Sequence, residues 1–105
     1  MFLAGIVLAV AADLPSIQEA VLADARLRAG AGRGDVHLVL SQPVTWPDAS
    51  LGCPEPGRMY TQSLVSGYLL RVQAGAALLE YHAGAGGRWL YCPADRATAP
   101  RGDLT

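Results

Sequence analysis

Residues 68–83, with the sequence YLLRVQAGAALLEYHA, decide the fold class of this chain. Apolar and polar side chains alternate along both halves, and the apolar side chains that share one face are Tyr68, Leu70, Val72, Leu79 and Tyr81. This period of two is typical of half-buried β-strands, and Gly75 supplies a turn between them. The stretch therefore predicts an antiparallel hairpin. His82, like His37 in an upstream strand, has neighbours that place it on the solvent face.

Two further strands flank the hairpin. Downstream, the glycines within residues 84–87 turn the chain into a strand over residues 88–92, which Pro93 ends. Upstream, residues 36–46 are rich in strand-forming side chains but are interrupted by Pro43. Because proline cannot donate a hydrogen bond to a neighbouring strand, we expect a bent or edge strand there.

A helix is predicted before these strands. Ser16 and Glu19 have the spacing of a capping box, with Ser16 as the N-cap. An apolar stripe with helical spacing follows, formed by Ile17, Val21 and Ala25. Gly30 is suited to the left-handed conformation that ends a helix.

The order of helix, strand, long loop and three-stranded meander predicts an α+β domain. One N-terminal helix would pack on a small antiparallel sheet of three to four strands. A long loop rich in proline and glycine lies between the first and second strands, over residues 47–67. The predicted boundaries are a leader over residues 1–12, a single domain over residues 13–93 and a flexible tail over residues 94–105.

Length and charge exclude several classes of protein. The 105 residues suffice for one domain, and an apolar fraction of 51% excludes a disordered polyelectrolyte. The formal net charge is −1, and the eight basic residues, all arginine, are spread along the chain. Without a basic cluster to neutralise phosphates, we expect no nucleic-acid partner.

Residues 1–12, MFLAGIVLAVAA, form an uncharged apolar run that resembles the hydrophobic region of a signal peptide. Residues 9–11 supply a cleavage pattern of small residues, although no basic residue precedes the run. A run this short cannot span a bilayer, which needs about 20 residues. We therefore expect a periplasmic or secreted protein with no stable membrane span after leader removal. The alternative is a buried N-terminal element of the fold.

Cys53 and Cys92 are the two cysteines of the chain. In an exported protein such a pair predicts a disulfide. Closing a loop of this size contributes about 4 kcal/mol on the chain-entropy model, a large share of a small domain's stability. The bond would hold the long loop against the last strand.

Two chemical alternatives use the same cysteines. One is a zinc site formed by Cys53, Cys92, His37 and His82, although none of these residues has the close paired spacing of zinc ligands. The other is a hydrolase in which Cys53 and His82 form a nucleophile pair, with Asp48 or Glu80 orienting the imidazole. No nucleophile elbow or oxyanion hole accompanies that pair, so we expect no catalytic residues, no metal site and no cofactor.

The long loop is the candidate binding surface, because prolines and a disulfide restrict its conformations before any partner binds. Its candidate contact residues are Trp46, Asp48, Glu55, Arg58, Met59, Tyr60 and Gln62. The leading hypothesis is a non-enzymatic extracytoplasmic binding or structural module whose partner is an envelope protein. The alternative is a protease inhibitor that acts through residues 53–60 and offers Arg58 or Met59 to the enzyme. A third interpretation is that proline and glycine simply form the turns of a structural loop.

Residues 46–62, WPDASLGCPEPGRMYTQ, carry a family resemblance. They resemble the Trp-x-Asp-x-Ser-Leu-Gly-Cys-Pro-x-Pro-Gly-x-x-Tyr-Thr-Gln motif of a family of small uncharacterised bacterial exported domains. The resemblance continues through Gly67-Tyr68 and residues 80–82 to Cys92, and covers roughly residues 14–92. Ala49 and Arg58 depart from the glycine and methionine frequent in that family. The resemblance implies a fold and export but no known activity.

Overall fold

The computed structural model describes residues 14–30 and 35–101. Its elements in chain order are α1 (Leu14–Ala29), β1 (Val36–Trp46), β2 (Val65–Ala74), β3 (Ala77–Gly84) and β4 (Trp89–Tyr91). The four strands form one antiparallel sheet in the order β1-β2-β3-β4, and α1 packs on it. The α+β prediction, with its N-terminal helix and its loop between the first two strands, is confirmed. The predicted leader lies outside the described residues.

The central hairpin forms as the alternating pattern predicts. β2 pairs with β3 from Gly67 opposite Gly84 to Ala74 opposite Ala77, so a two-residue turn joins them. Gly75 begins that turn at φ +61°, a conformation that glycine adopts without the steric cost of a side chain.

β1 is an edge strand, as Pro43 predicts, and it has a local irregularity upstream of that proline. Its register with β2 shifts between Leu38 and Leu40, which is the mark of a β-bulge. Pro43 lies opposite Tyr68, and β1 has β2 on one side only in the strand order. A proline is tolerated there because, in the part of the chain that the structure describes, no second strand needs its missing N–H group.

The helix begins earlier than the capping box predicted. α1 starts at Leu14, with Pro15 in its first turn, so Ser16 lies inside the helix and the N-cap prediction is wrong. Proline favours a first turn because its fixed φ is helical and its N–H is not needed there. The other end agrees with the sequence, because Gly30 follows the helix at φ +65°.

The helical face of the sheet carries the larger hydrophobic core. The buried side chains of this core are Ile17, Val21, Ala25, Val36, Leu70, Val72, Ala74, Leu79, Tyr81 and Ala83. The Tyr81 hydroxyl donates a 2.6 Å hydrogen bond to Asp24 on α1, and Arg28 pairs with the same carboxylate at 3.0 Å. Burial raises the pKa of Asp24, but these two hydrogen bonds outweigh it and bring the pKa below its ordinary 3.8. The polar link orients α1 on the strands.

The opposite face of the sheet is covered as well, by the loop between β1 and β2. A second core on this side contains Trp46, Leu51 and Leu69, with Leu40, Val44, Val65 and Leu90 packed around them. His82 lies on this face and is fully buried, so the prediction of a solvent-facing His82 is wrong. Strand alternation assigned the side chain to the correct face, but it carries no information about what covers that face.

Residues 94–101 pack on the loop side of the sheet. The sequence had placed them in a flexible tail beyond a predicted domain boundary at residue 93. The Thr98 amide donates to the Gly52 carbonyl at 2.8 Å, and the Arg101 amide donates to Thr45 in β1 at the same distance. Pro100 is buried. The packed structure therefore reaches Arg101 along the outer edge of β1. Among the described residues, no helix has the length and hydropathy to cross a membrane.

Candidate binding loop and its anchor

The connection between β1 and β2 divides into two parts by burial. We call residues 46–53 the anchor segment, because Trp46, Ser50, Leu51, Gly52 and Cys53 within it are buried. We call residues 54–64 the exposed loop, since all of its residues are exposed except the half-buried Tyr60. The candidate contact residues predicted from sequence fall into both parts.

Trp46 belongs to the interior. Its side chain is completely buried, and its ring stacks on the His82 imidazole with ring centroids 4.3 Å apart and planes 20° apart. The indole Nε1 donates to the Ala83 carbonyl at 3.0 Å, so the polar edge of the ring is satisfied. Trp46 therefore holds the loop on the sheet and offers no surface to a partner.

His82 joins the anchor segment to the sheet through both ring nitrogens. Nδ1 lies 2.5 Å from the Leu51 carbonyl oxygen, which can only accept, so Nδ1 carries a proton. Nε2 lies 2.6 Å from Glu80 Oε2, and Arg71 donates to the other carboxylate oxygen at 2.9 Å. Burial raises the pKa of Glu80, but the hydrogen bonds from His82 and Arg71 outweigh it and lower the pKa below its ordinary 4.5. The imidazole therefore links the Leu51 carbonyl to the Glu80 carboxylate.

A tight turn over residues 48–51 places the Leu51 carbonyl against the His82 ring. The Asp48 carboxylate accepts hydrogen bonds from the Ser50 amide at 2.9 Å and the Ser50 hydroxyl at 2.6 Å, which is the pattern of an Asx turn. Leu51 has φ +57°, and the next residue, Gly52, also lies in the left-handed region. A leucine there costs about 1–2 kcal/mol, which the burial of its side chain in the second core offsets. Asp48 therefore shapes the anchor segment.

Gly52 allows the anchor segment to approach the indole. An added Cβ at this residue would lie 2.5 Å and 2.7 Å from two carbons of the Trp46 ring. Its carbonyl oxygen accepts hydrogen bonds from the amide and the hydroxyl of Thr98, at 2.8 and 3.2 Å. Gly52 thus lies between the ring and the C-terminal segment, where a side chain does not fit.

The predicted disulfide is present. Cys53 and Cys92 are bonded, with their Cα atoms 5.8 Å apart and both residues buried. Both sulfur atoms are part of the disulfide, so neither is a free thiol that could bind zinc or act as a nucleophile in this structure. Of the two carboxylates considered for a Cys–His pair, Glu80 contacts His82, whereas Asp48 caps its own turn. No group of three metal-ligating side chains occurs among the described residues.

The exposed loop begins with a second closed turn. The Arg58 amide donates to the Glu55 carbonyl at 3.1 Å, and Gly57 between them has φ +82°. This is the geometry of a type II turn, which favours proline and glycine at its two central positions. The Tyr60 hydroxyl accepts from the Glu55 amide at 3.1 Å and closes the turn from the other side.

The tip of the exposed loop presents an apolar side chain to solvent. Met59 is 92% exposed, immediately after the turn, and Leu64 is 56% exposed at the base of β2. Gln62 is also exposed, and its side-chain amide donates to the Tyr60 carbonyl at 3.5 Å. The predicted contact residues Glu55, Arg58, Met59, Tyr60 and Gln62 therefore lie together on this loop.

Sequence reasoning missed two arginines that the fold brings to the loop. Arg88, before β4, donates to the Ala49 carbonyl at 3.1 Å. Arg96, after β4, has its Nη2 3.6 Å from Cys53 Sγ. Neither lies in a local pattern, since their proximity comes from β4 and the disulfide.

These features define a class of protein, a small α+β domain with a disulfide-anchored loop. The chain belongs to the family described as Domain of unknown function (DUF8738), whose model matches residues 18–92. The matched span runs from the first turns of α1 to Cys92 and includes the anchor segment and the exposed loop. The resemblance to an uncharacterised domain family is confirmed at this level. No curated protein and no solved structure gives a match.

Gly52→Ala tests the close approach to Trp46, and Gly57→Ala is its matched control. Both glycines have positive φ, so both substitutions carry the same backbone cost, but an added Cβ at Gly57 meets nothing within 4 Å. We expect Gly52→Ala to lower the free energy of unfolding by about 1–3 kcal/mol more than Gly57→Ala, because the added carbon displaces the indole. Denaturant titration of the oxidised proteins measures both. Equal losses would show that the contact with the ring does not constrain this glycine.

Glu80→Gln tests the contacts of this carboxylate with His82 and Arg71. Because the pKa of Glu80 is lowered in the folded state, its contribution is complete above the ordinary value and is lost as the pH falls through the lower, folded value. We expect Glu80→Gln to destabilise the protein by about 1.5–3 kcal/mol at pH 7 and by progressively less as the pH falls below the ordinary value of 4.5. Glu19→Gln, an exposed change on α1, is the control. A loss that does not change as the pH falls until the protein unfolds would contradict a stabilising role for the ionised carboxylate.

Proposed function

We propose that this protein is a non-enzymatic binding module that presents its exposed loop to a protein partner outside the cytoplasm. The observation that carries the proposal is the 92% exposure of Met59 on a loop whose base is fixed. A large apolar side chain presented in this way is a typical anchor for a pocket on a partner. Arg58 beside it supplies a charge for orientation.

Preorganisation of the loop supports this proposal. The Cys53–Cys92 bond fixes one end and the pairing of Val65 with Trp46 fixes the other. Between them, the Tyr60 hydroxyl closes the turn at Glu55. A loop that is already ordered loses less conformational entropy on binding, so more of the contact energy appears as affinity.

The proposed compartment is the bacterial periplasm or the extracellular medium. The Cys53–Cys92 disulfide supports it, because such bonds persist mainly in oxidising compartments. The apolar character of residues 1–12 supports it as a signal-peptide-like leader. An envelope protein is then the proposed class of partner.

Site-specific photocrosslinking tests the proposal. A photoreactive residue replaces Met59 in one protein and Leu27 in another, because Leu27 is an apolar side chain on α1 that is 84% exposed. We expect position 59 to form a defined adduct with a protein in the native host's envelope fraction, and position 27 to form none. No adduct at position 59, or the same adducts at both positions, would contradict the proposal.

A second candidate function is protease inhibition through residues 53–60. The observation that favours it is that Arg58 closes a turn, that Met59 follows it directly, and that the disulfide lies at the start of the same loop. An inhibitor must present its cleavable bond on a segment that resists rearrangement, and the closed turn and the disulfide provide that resistance.

Incubation with trypsin-like and chymotrypsin-like proteases tests this candidate. We expect a tight, slowly cleaved complex in which Arg58→Ala abolishes inhibition of the trypsin-like enzyme and Met59→Ala that of the chymotrypsin-like enzyme. Arg101→Ala, at an exposed arginine outside the loop, is the control. Rapid cleavage of the exposed loop without inhibition would exclude this function.

A further inference from the structure

A cavity of about 250 Å³ lies between the exposed loop and β4. Its wall contains three arginines, which are Arg58, Arg88 and Arg96, and it includes Glu55, Tyr60 and the disulfide residue Cys53. We call this space the arginine cavity. It combines side chains from three separate stretches of the chain, which the disulfide and β4 bring together.

The arginine cavity has an excess of positive charge. Among the described residues that line it, Glu55 is the only acidic one, so three guanidinium groups face one carboxylate and the formal excess is +2. That carboxylate makes two long contacts, 3.4 Å to Arg58 and 3.9 Å to Arg96. Arg88 donates to the Ala49 carbonyl, a neutral acceptor, and its charge has no carboxylate partner among the described residues.

Arg96 carries an unused hydrogen-bond donor. Its Nε atom is buried and has no hydrogen-bond partner among the described residues. Its Nη2 is directed at Cys53 Sγ, and a disulfide sulfur is a weak acceptor. Buried donors almost always have a partner in a native protein, so the Arg96 guanidinium has donor capacity left for an acceptor in the cavity.

We propose that the arginine cavity binds the oxyanion group of a ligand, either a carboxylate or a phosphate. Guanidinium groups recognise both groups through paired, charge-assisted hydrogen bonds. Such an anion would neutralise the excess charge and supply acceptors for Arg88 and Arg96. Glu55, whose side chain is 47% exposed, competes for the same arginines and swings outward when the anion enters.

This proposal goes beyond the presentation of the exposed loop to a protein. The two share Glu55, Arg58 and Tyr60, but the cavity also needs Arg88 and Arg96, which lie outside the loop. A ligand anion could therefore bind even if Met59 contacts no partner. The crosslinking experiment at position 59 and the anion titration below have independent outcomes.

Titration of the oxidised protein with inorganic phosphate and, separately, with acetate tests the proposal. Chloride is used to hold the ionic strength constant, and backbone amide NMR shifts report binding. We expect saturable shifts around Cys53, Arg88 and Arg96 with at least one anion. The anion that binds more tightly identifies the ligand group as a phosphate or a carboxylate. Shifts that remain linear with both anions would overturn the proposal.

Variants assign the binding to the cavity. Arg88→Gln and Arg96→Gln are each expected to weaken binding about 10-fold or more, because each removes charge-assisted hydrogen bonds. Glu55→Gln is expected to strengthen binding about two- to fivefold, because it removes the competing carboxylate. Arg101→Gln is the matched control and leaves the affinity unchanged.

The Glu55→Gln variant keeps the proposal falsifiable if an arginine substitution unfolds the protein. The Glu55 side chain is about half exposed, at 47%, so the fold is expected to survive the change. Unchanged or weaker anion binding in this variant, or unchanged binding in both arginine variants, would contradict the assignment.

Discussion

The stacking of Trp46 on His82 is the contact on which the loop-covered face of the sheet, opposite α1, depends. Both rings are fully buried, and they join the end of β1 to the middle of β3 across β2. The two residues also fix their surroundings, because the indole N–H binds the Ala83 carbonyl and the imidazole binds the Leu51 carbonyl. The position of the anchor segment, and with it the base of the exposed loop, follows from this contact.

The polar atoms of the stack explain how a histidine is tolerated in the interior. A buried polar group is costly unless it is hydrogen-bonded, and His82 has both a carboxylate and a carbonyl partner. Arg71 donates to the other oxygen of the same carboxylate, so Glu80 connects the buried ring to a half-exposed arginine at the surface.

The sequence predicted the elements whose signals are local. The alternation around Gly75 identified the hairpin, the stripe from Ile17 to Ala25 identified the helical face, and the two cysteines identified the disulfide. The start of α1 was misplaced because Ser16 satisfied a capping pattern within the helix.

The parts that could not be predicted depend on contacts between distant residues. His82 is buried because the loop between β1 and β2 covers it. The alternation of residues within β3 does not indicate whether a distant loop covers that face of the strand. Trp46 was assigned to the binding surface with the motif of residues 46–62, which does not show which of its side chains the sheet buries. The approach of Arg88 and Arg96 to the exposed loop requires both β4 and the disulfide, so it has no signal in the sequence.

The Cys53–Cys92 bond also changes the covalent topology of the protein. Because it joins residues separated by 39 positions, it closes a macrocycle that contains the exposed loop, β2, β3 and β4. One broken peptide bond anywhere in that ring opens it without releasing a fragment. The two resulting pieces remain one molecule, because the disulfide still joins them. The exposed loop of this chain thus lies where cleavage of the backbone leaves the protein in one covalent piece.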